Sequence, residues 1–128
     1  ISSGPTRSKV ELLNSTRMLI EKGYNIYSTA GTAKFFKENG IDTQILYWPD
    51  EDKEPNIMEY LHDRKIDLVI NIPKNHTKRE LDNGYKIRRA AVDYNIPLIT
   101  NARLASAFIY AICKVDPTEI AIKSWDEY

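Results

Sequence analysis

The sequence predicts an α/β fold of three layers, with a five-stranded, mostly parallel sheet flanked by helices on both faces. Two observations carry that prediction. Five short runs of alternating or β-branched residues, at 1–3, 24–27, 41–47, 66–72 and 96–100, are separated by stretches whose apolar residues recur at helical intervals. The run Ile66-Asp67-Leu68-Val69-Ile70-Asn71-Ile72 is nearly continuous in apolar character, as a strand covered on both faces requires, and is the candidate central strand. Strict alternation of strand and helix makes the sheet parallel.

Taken in order, Ile1-Ser2-Ser3-Gly4 reads as the tail of a strand. Residues 1–128 are expected to be one domain excised from a longer chain and cut within its first strand. Ser8-Lys9-Val10-Glu11 has capping-box spacing, and Leu12, Leu13, Thr16, Leu19 and Ile20 follow at helical intervals up to Gly23, which predicts a helix over 8–22. Residues 24–27 form the second strand and run directly into Ser28-Thr29-Ala30-Gly31-Thr32, after which Phe35 and Phe36 mark a helix stopped at Asn39-Gly40. The third strand ends in Trp48-Pro49, where proline stops pairing. The acidic loop 50–55 is expected to face solvent, because its carboxylates repel an anion.

Asn56 with Glu59 opens a short helix carrying Ile57, Met58 and Leu61. After the central strand comes a polar loop, 73–79. Asn83-Gly84 then leads into a helix with Ile87, Ala90, Ala91 and Tyr94 on one face, which places Arg88 and Arg89 in its first turns. The fifth strand enters through Pro97, and Asn101 caps a final helix expected to bury Leu104, Ala105, Phe108, Ile109 and Ile112. Asp116-Pro117 ends it, 120–123 reads as a small edge strand, and 124–128 as a loose tail.

In a parallel sheet of this kind, ligands sit beyond the carboxyl ends of the strands, where strand order reverses. Those ends carry Ser2 and Ser3, Ser28 and Thr29, Trp48, Asn71, and Thr100 and Asn101. The turn at Gly31 aims the first amides of a new helix at the strand end, where an anion can accept from them, and Lys9 lies near enough to join. Thr29 and Thr32 either cap that helix or add hydroxyls to an anion cradle. Trp48 either stacks on a planar ligand or packs as core.

Composition narrows the chemistry. The 128 residues are 42% hydrophobic and 28% charged, enough for one core. Eighteen basic and eighteen acidic side chains cancel, so no global field exists to hold a nucleic acid or an anionic membrane. The single cysteine, Cys113, lies in an apolar helical run and reads as a packed thiol, which fits a reducing compartment. No run of about 18 apolar residues is present.

His62 and His76 lack metal-ligand spacing, and the phosphate-loop, dinucleotide and serine-elbow motifs are missing, so neither a resident metal nor a cofactor is expected. Asp67, Asp82 and Asp93 each have a plain explanation as edge, turn or solvent-facing residues, which leaves recognition of an anion as the better-supported chemistry.

Residues 2–32, Tyr47-Trp48-Pro49, Leu68-Val69-Ile70-Asn71-Ile72-Pro73, Asp82-Asn83-Gly84-Tyr85-Lys86-Ile87-Arg88-Arg89-Ala90 and Ile96-Pro97-Leu98-Ile99-Thr100-Asn101 resemble the methylglyoxal-synthase-like fold. They are more closely similar to the C-terminal allosteric domain of carbamoyl-phosphate synthase large chains. The resemblance implies a five-stranded parallel sheet and a catalytically silent domain that binds a small anionic effector, N-acetylglutamate or a uridine or inosine monophosphate. ATP, magnesium and bicarbonate would then belong to the parent synthetase. The partners implied are the synthetase domains of the same chain and its glutaminase subunit, in the cytoplasm or the mitochondrial matrix.

By resemblance, Thr29, Thr32, Trp48, Asn71 and Asn83 fall in an N-acetylglutamate pocket, with Lys74 where the pattern has asparagine. Lys9, Thr29, Thr32 and Asn71 also fall where nucleotide-regulated members hold a phosphate. Two other branches of the family differ at diagnostic places. Tyr47-Trp48-Pro49-Asp50-Glu51-Asp52 stands where methylglyoxal synthases carry Gly-Gly-Asp with the catalytic aspartate, and the Lys-Thr-Leu-His-Pro stretch of the cyclohydrolases has no counterpart. A free-standing lyase acting on dihydroxyacetone phosphate is the alternative reading, and an interaction module with an empty pocket is a third.

Overall fold

A computed structural model describes residues 1–73 and 77–114. Ten elements alternate along the described residues: β1 (Ser2–Ser3), α1 (Thr6–Glu21), β2 (Tyr27–Ser28), α2 (Ala30–Glu38), β3 (Gln44–Ile45), α3 (Ile57–His62), β4 (Val69–Ile72), α4 (Lys78–Asp93), β5 (Leu98–Ile99) and α5 (Ala102–Lys114). All strand pairs are parallel. One group runs β1-β4-β5, with Ser2 opposite Asn71 and Val69 opposite Leu98, and the other pairs β2 with β3, Tyr27 opposite Gln44.

Ile1 joins the two groups. Its amino nitrogen donates to the Tyr27 carbonyl at 2.6 Å, and the Thr29 amide donates to the Ile1 carbonyl at 3.2 Å. The strands therefore lie in the order β3-β2-β1-β4-β5. The chain works outward from β1 on one side and returns to β4 on the other, so strand order reverses between β1 and β4.

The composition of β4 follows from its place. Ile70 and Ile72 enter a cluster with Leu12 and Leu19 of α1, Phe36 of α2 and Ala105 and Ile109 of α5. Val69 faces the opposite layer, with Leu61 of α3 and Ile87, Ala90 and Ala91 of α4. All four β4 residues are buried, Asn71 among them. Cys113 is packed in the first cluster, as its setting predicts. Where α1 lies along α5, the Ser15 hydroxyl donates to that of Ser106 at 3.1 Å, a close approach that two small residues permit.

Several boundaries differ from the sequence reading. Helix α1 starts at Thr6 behind Pro5, with no side-chain cap, so Ser8 is a helical residue. Proline at the N-cap supplies fixed extended backbone just where an unpaired donor would otherwise sit. Helix α4 starts at Lys78, because the Thr77 hydroxyl accepts from the Glu80 amide at 3.1 Å. Asn83 and Gly84 thus lie inside it, and Arg88 and Arg89 in its later turns. Leu104 and Phe108 are exposed; α5 turns Ala102, Ala105, Ile109 and Cys113 inward instead, because the small alanines permit close contact. Asn56 and Asn101 do cap α3 and α5, accepting from Met58 and Leu104 at 2.9 Å each. The expected strand at 120–123 and tail at 124–128 lie outside the described residues.

Candidate functional site

A cleft of about 310 Å³ opens above the carboxyl ends of β1, β2 and β4, at the reversal of strand order. Lys9, Thr29, Gly31, Thr32, Trp48 and Asn71 all line it. The floor is built by β1. Thr32 Oγ1 accepts from the Ser3 amide at 3.0 Å and lies 3.3 Å from the Ser3 carbonyl, to which its hydroxyl can donate, while the Thr29 hydroxyl lies 3.3 Å from Ser2 Oγ and 3.5 Å from Thr32 Oγ1. Both threonines are almost fully buried.

Neither threonine is spent on capping α2. Thr29 occupies the N-cap position of α2, yet its side chain makes no capping bond, and Thr32 is spent on β1. Among the described residues no side chain accepts from the first amides of α2, and no acidic residue stands in that turn. Helix α1, which also begins beside the cleft, is equally uncapped and free of acid there, whereas α3 and α4 each have a side-chain cap and a glutamate in the first turn. An uncapped, acid-free helix start is favourable to an anion, because unsatisfied N–H groups and the helix dipole act together.

Helix α4 supplies the opposite wall, and here the structure adds residues that sequence reasoning did not commit to. Arg88 Nη1 donates to Asn71 Oδ1 at 2.6 Å, so the buried asparagine holds a guanidinium at the cleft. Gly84 makes the room: a Cβ there would lie 2.9 Å from Arg88 Nη1. Arg79 sits 5.2 Å from the centroid of the half-buried Trp48 ring and pairs with Asp50 through two bonds of 2.6 and 3.1 Å. The signal that could have found Arg88 was its i+4 spacing from Gly84 once the true start of α4 is known; Arg79 is placed by Asp50 and Trp48, which no local spacing reveals.

The loop after β3 does not keep wholly to solvent. Glu51 lines the cleft and accepts from the Trp48 amide at 3.3 Å, and Asp50 is drawn in by Arg79. The arginine offsets the expected repulsion at Asp50 by its bond to that carboxylate, while Glu51 and Glu80 stay among the cleft's lining residues. That bond, helped by one from Asn83, lowers the Asp50 pKa from 3.8 to about 2.

Asn83 is not on the cleft. It is buried, accepting from the Asp50 amide at 3.2 Å and donating to the Arg79 carbonyl at 2.9 Å, so it fastens the loop to α4 and its amide is used up there. Lys74 lies outside the described residues. Asp67, Asp82 and Asp93 do not line the cleft, and Asp93 pairs with Arg89 at 3.2 Å. Among the described residues there is no cluster of metal-ligating side chains, and no helix is long and apolar enough to cross a membrane.

Fold and cleft together define a parallel α/β domain with a polar, arginine-bearing cleft at the switch point of its sheet. The chain belongs to the MGS-like domain family, whose model matches residues 11–100. It is 40% identical over 121 residues to the multifunctional protein ura1 of Schizosaccharomyces pombe, a match covering 89% of this chain and 5% of that protein. It is 39% identical over 121 residues to the C-terminal section of the carbamoyl phosphate synthase large chain of Methanocaldococcus jannaschii, covering 94% of this chain and 19% of that one. The chain thus spans a small part of the curated relatives it matches. In structure it resembles methylglyoxal synthase from Elizabethkingia anophelis NUHP1 with a TM-score of 0.59 at 17% identity, over 84% of this chain and 74% of that one, a likeness of fold.

Proposed function

We propose that this chain is the effector-binding domain of a carbamoyl-phosphate synthase, standing alone in the large chain or within a multifunctional protein. It senses a small anionic metabolite and performs no chemistry itself. The observation that carries the reading is the uncapped, acid-free start of α2 at the floor of a cleft that also holds Lys9 and Arg88. One relative's name, the carbamoyl phosphate synthase large chain, suggests the parent; the rest of the reading is that this parent makes carbamoyl phosphate with ATP for arginine or pyrimidine formation, with the synthetase domains of the same chain and a glutaminase as partners.

In this mechanism the effector's phosphate or carboxylate accepts from the first amides of α2, with Lys9 adding charge. Arg88, held by Asn71, meets a second acceptor on the ligand, and the Trp48 ring with Arg79 over it closes the side toward α4. Regulation requires the ligand to favour one of two arrangements of the domain against its synthetase, with a coupling of about 1–3 kcal/mol. Uridine or inosine monophosphate and N-acetylglutamate are the candidate effectors.

The lyase alternative is weaker. It calls for a carboxylate free to act in the cleft: Asp50 is held in its pair with Arg79 and Glu51 accepts from the Trp48 amide, which leaves Glu80, a lining residue whose Oε2 has no hydrogen-bond partner among the described residues, as the group that reading would use. Calorimetric titration of the 128-residue chain with the three candidate effectors tests the proposal. Saturable binding of one of them, lost in Arg88→Met, is the expected result, and silence with all three refutes it. Methylglyoxal formed from dihydroxyacetone phosphate would establish the lyase in its place.

A further inference from the structure

The cleft changes sign along its length, and the wall built by α4 shows how. Glu80, Gly84 and Arg88 recur every fourth residue, so they stand in one row on the face of α4 that lines the cleft. Eight residues of helix rise by about 12 Å, which sets the acid and the base at opposite ends of that row. Arg88 belongs to the end nearer the sheet, where Asn71 of β4 accepts from it at 2.6 Å. Asn71 is in register with Ser2, whose hydroxyl lies 3.3 Å from that of Thr29 at the start of α2, so the guanidinium and the uncapped helix start occupy neighbouring strand ends. The outer end gathers acid instead. Glu80 stands in the first turn of α4, and Arg79 beside it fastens to α4 the loop that brings Trp48 and Glu51 to the cleft.

Glu80 is not consumed by the helix it begins. Its amide donates to the Thr77 hydroxyl at 3.1 Å, but the return bond from the Thr77 amide to the Glu80 side chain, which would complete a capping box, is missing among the described residues. Glu80 is half-buried, and its Oε2 is enclosed with no hydrogen-bond partner there. A carboxylate oxygen withdrawn from water without a donor is unfavourable, and a ligand that brings an N–H or O–H to it removes that penalty. A ligand that brings a second carboxylate adds repulsion instead. Arg79 does not relieve it, being bonded to Asp50.

We propose, resting on the effector-binding reading of the cleft, that Glu80 is the residue that selects the effector: it admits a ligand with an anion at one end and hydroxyl donors further along, as in a nucleoside monophosphate, and disfavours a dicarboxylate such as N-acetylglutamate. The phosphate takes the sheet end, at the first amides of α2 and beside Arg88. The hydroxyl pair of the ribose then donates to the Glu80 carboxylate, and the planar base lies toward the Trp48 ring. N-acetylglutamate has a second carboxylate where this ligand has hydroxyls, and that group meets Glu80 and Glu51. Selection of this kind works as much by the unfavourable contact with the wrong ligand as by the favourable contact with the right one.

The test is calorimetric titration of the 128-residue chain and of Glu80→Gln, which keeps the shape and removes the charge. The ligands are uridine 5′-monophosphate, its 2′,3′-dideoxy analogue and N-acetylglutamate. The native chain is expected to bind the nucleotide about tenfold or more tightly than either of the others. In Glu80→Gln the nucleotide should weaken by about tenfold, the dideoxy analogue should stay within about twofold, and N-acetylglutamate should tighten. A role confined to the start of α4 would weaken all three ligands alike, and that result overturns the proposal. Equal affinity of the native chain for the nucleotide and its dideoxy analogue overturns it without any variant, as does tighter binding of N-acetylglutamate than of the nucleotide. If the nucleotide binds and the two proteins do not differ with any ligand, the role of Glu80 falls while the effector-binding reading stands; silence of the native chain with every ligand removes both.

Discussion

Replacing Thr32 by valine isolates the contact that ties the first strand to the anion-facing helix. Valine has nearly the same shape, so packing at this fully buried position is kept. What disappears is one oxygen with two tasks: accepting the Ser3 amide at 3.0 Å, and standing 3.3 Å from the Ser3 carbonyl. The Ser3 amide is then left without a protein partner at a residue only 5% exposed, at a cost of about 1–3 kcal/mol.

For a domain of this length each kcal/mol is worth roughly 3–5 °C in thermal midpoint, so a fall of about 3–15 °C is expected. Thr32→Ser keeps both contacts and loses only a methyl group, about 0.8 kcal/mol, and should melt between the two. Circular dichroism melts and calorimetric titration of the three proteins provide the assay. A valine variant at least as stable as the serine variant would refute the clamp. In the valine protein effector affinity should fall as well, because the first turn of α2 is no longer held against β1.

Gly84→Ala should separate stability from binding: alanine favours the middle of α4 by up to about 1 kcal/mol, yet its methyl displaces the Arg88 guanidinium. Melting at or above the parent temperature with roughly tenfold weaker effector binding is expected, and unchanged affinity would remove Arg88 from the site. Asn83→Ala should cost about 1 kcal/mol in denaturant titrations by unpairing the Asp50 amide, while leaving effector affinity nearly unchanged, since its amide is turned away from the cleft. The Asp50 carboxyl, followed by carbon-13 chemical shift, should titrate near pH 2. A depressed folded-state pKa means that the pair stabilises the fold above about pH 4 and that this contribution is lost as pH falls through 2; a midpoint near 3.8 would show that the Arg79 pair is not formed in solution.

Much of the scaffold could be read from local pattern. The apolar run ending in Asn71 announced a strand covered on two faces, and Asn56 and Asn101 announced helix starts, because each signal depends on a few neighbouring residues. Thr29, Thr32 and Asn71 were legible as strand-end polar groups, and they do meet at one cleft. The misreadings came where two local signals competed. Asn83-Gly84 looked like a turn, but the Thr77 cap begins α4 six residues earlier and the glycine serves as space for an arginine. Ser8 to Glu11 looked like a capping box, but Pro5 had already set the helix going.

The sequence alone determined the alternation of elements, the central strand and the polar character of the strand ends, because hydrophobic periodicity and capping act within a few residues of chain. Only the tertiary structure decided which of those polar groups remain available. Thr32 and Asn83 are consumed by backbone 29 and 33 residues away, Asn71 grips an arginine from a different layer, and an acidic loop is drawn to the cleft by Arg79. Such assignments depend on which segments become neighbours across the sheet, and no local pattern carries that information.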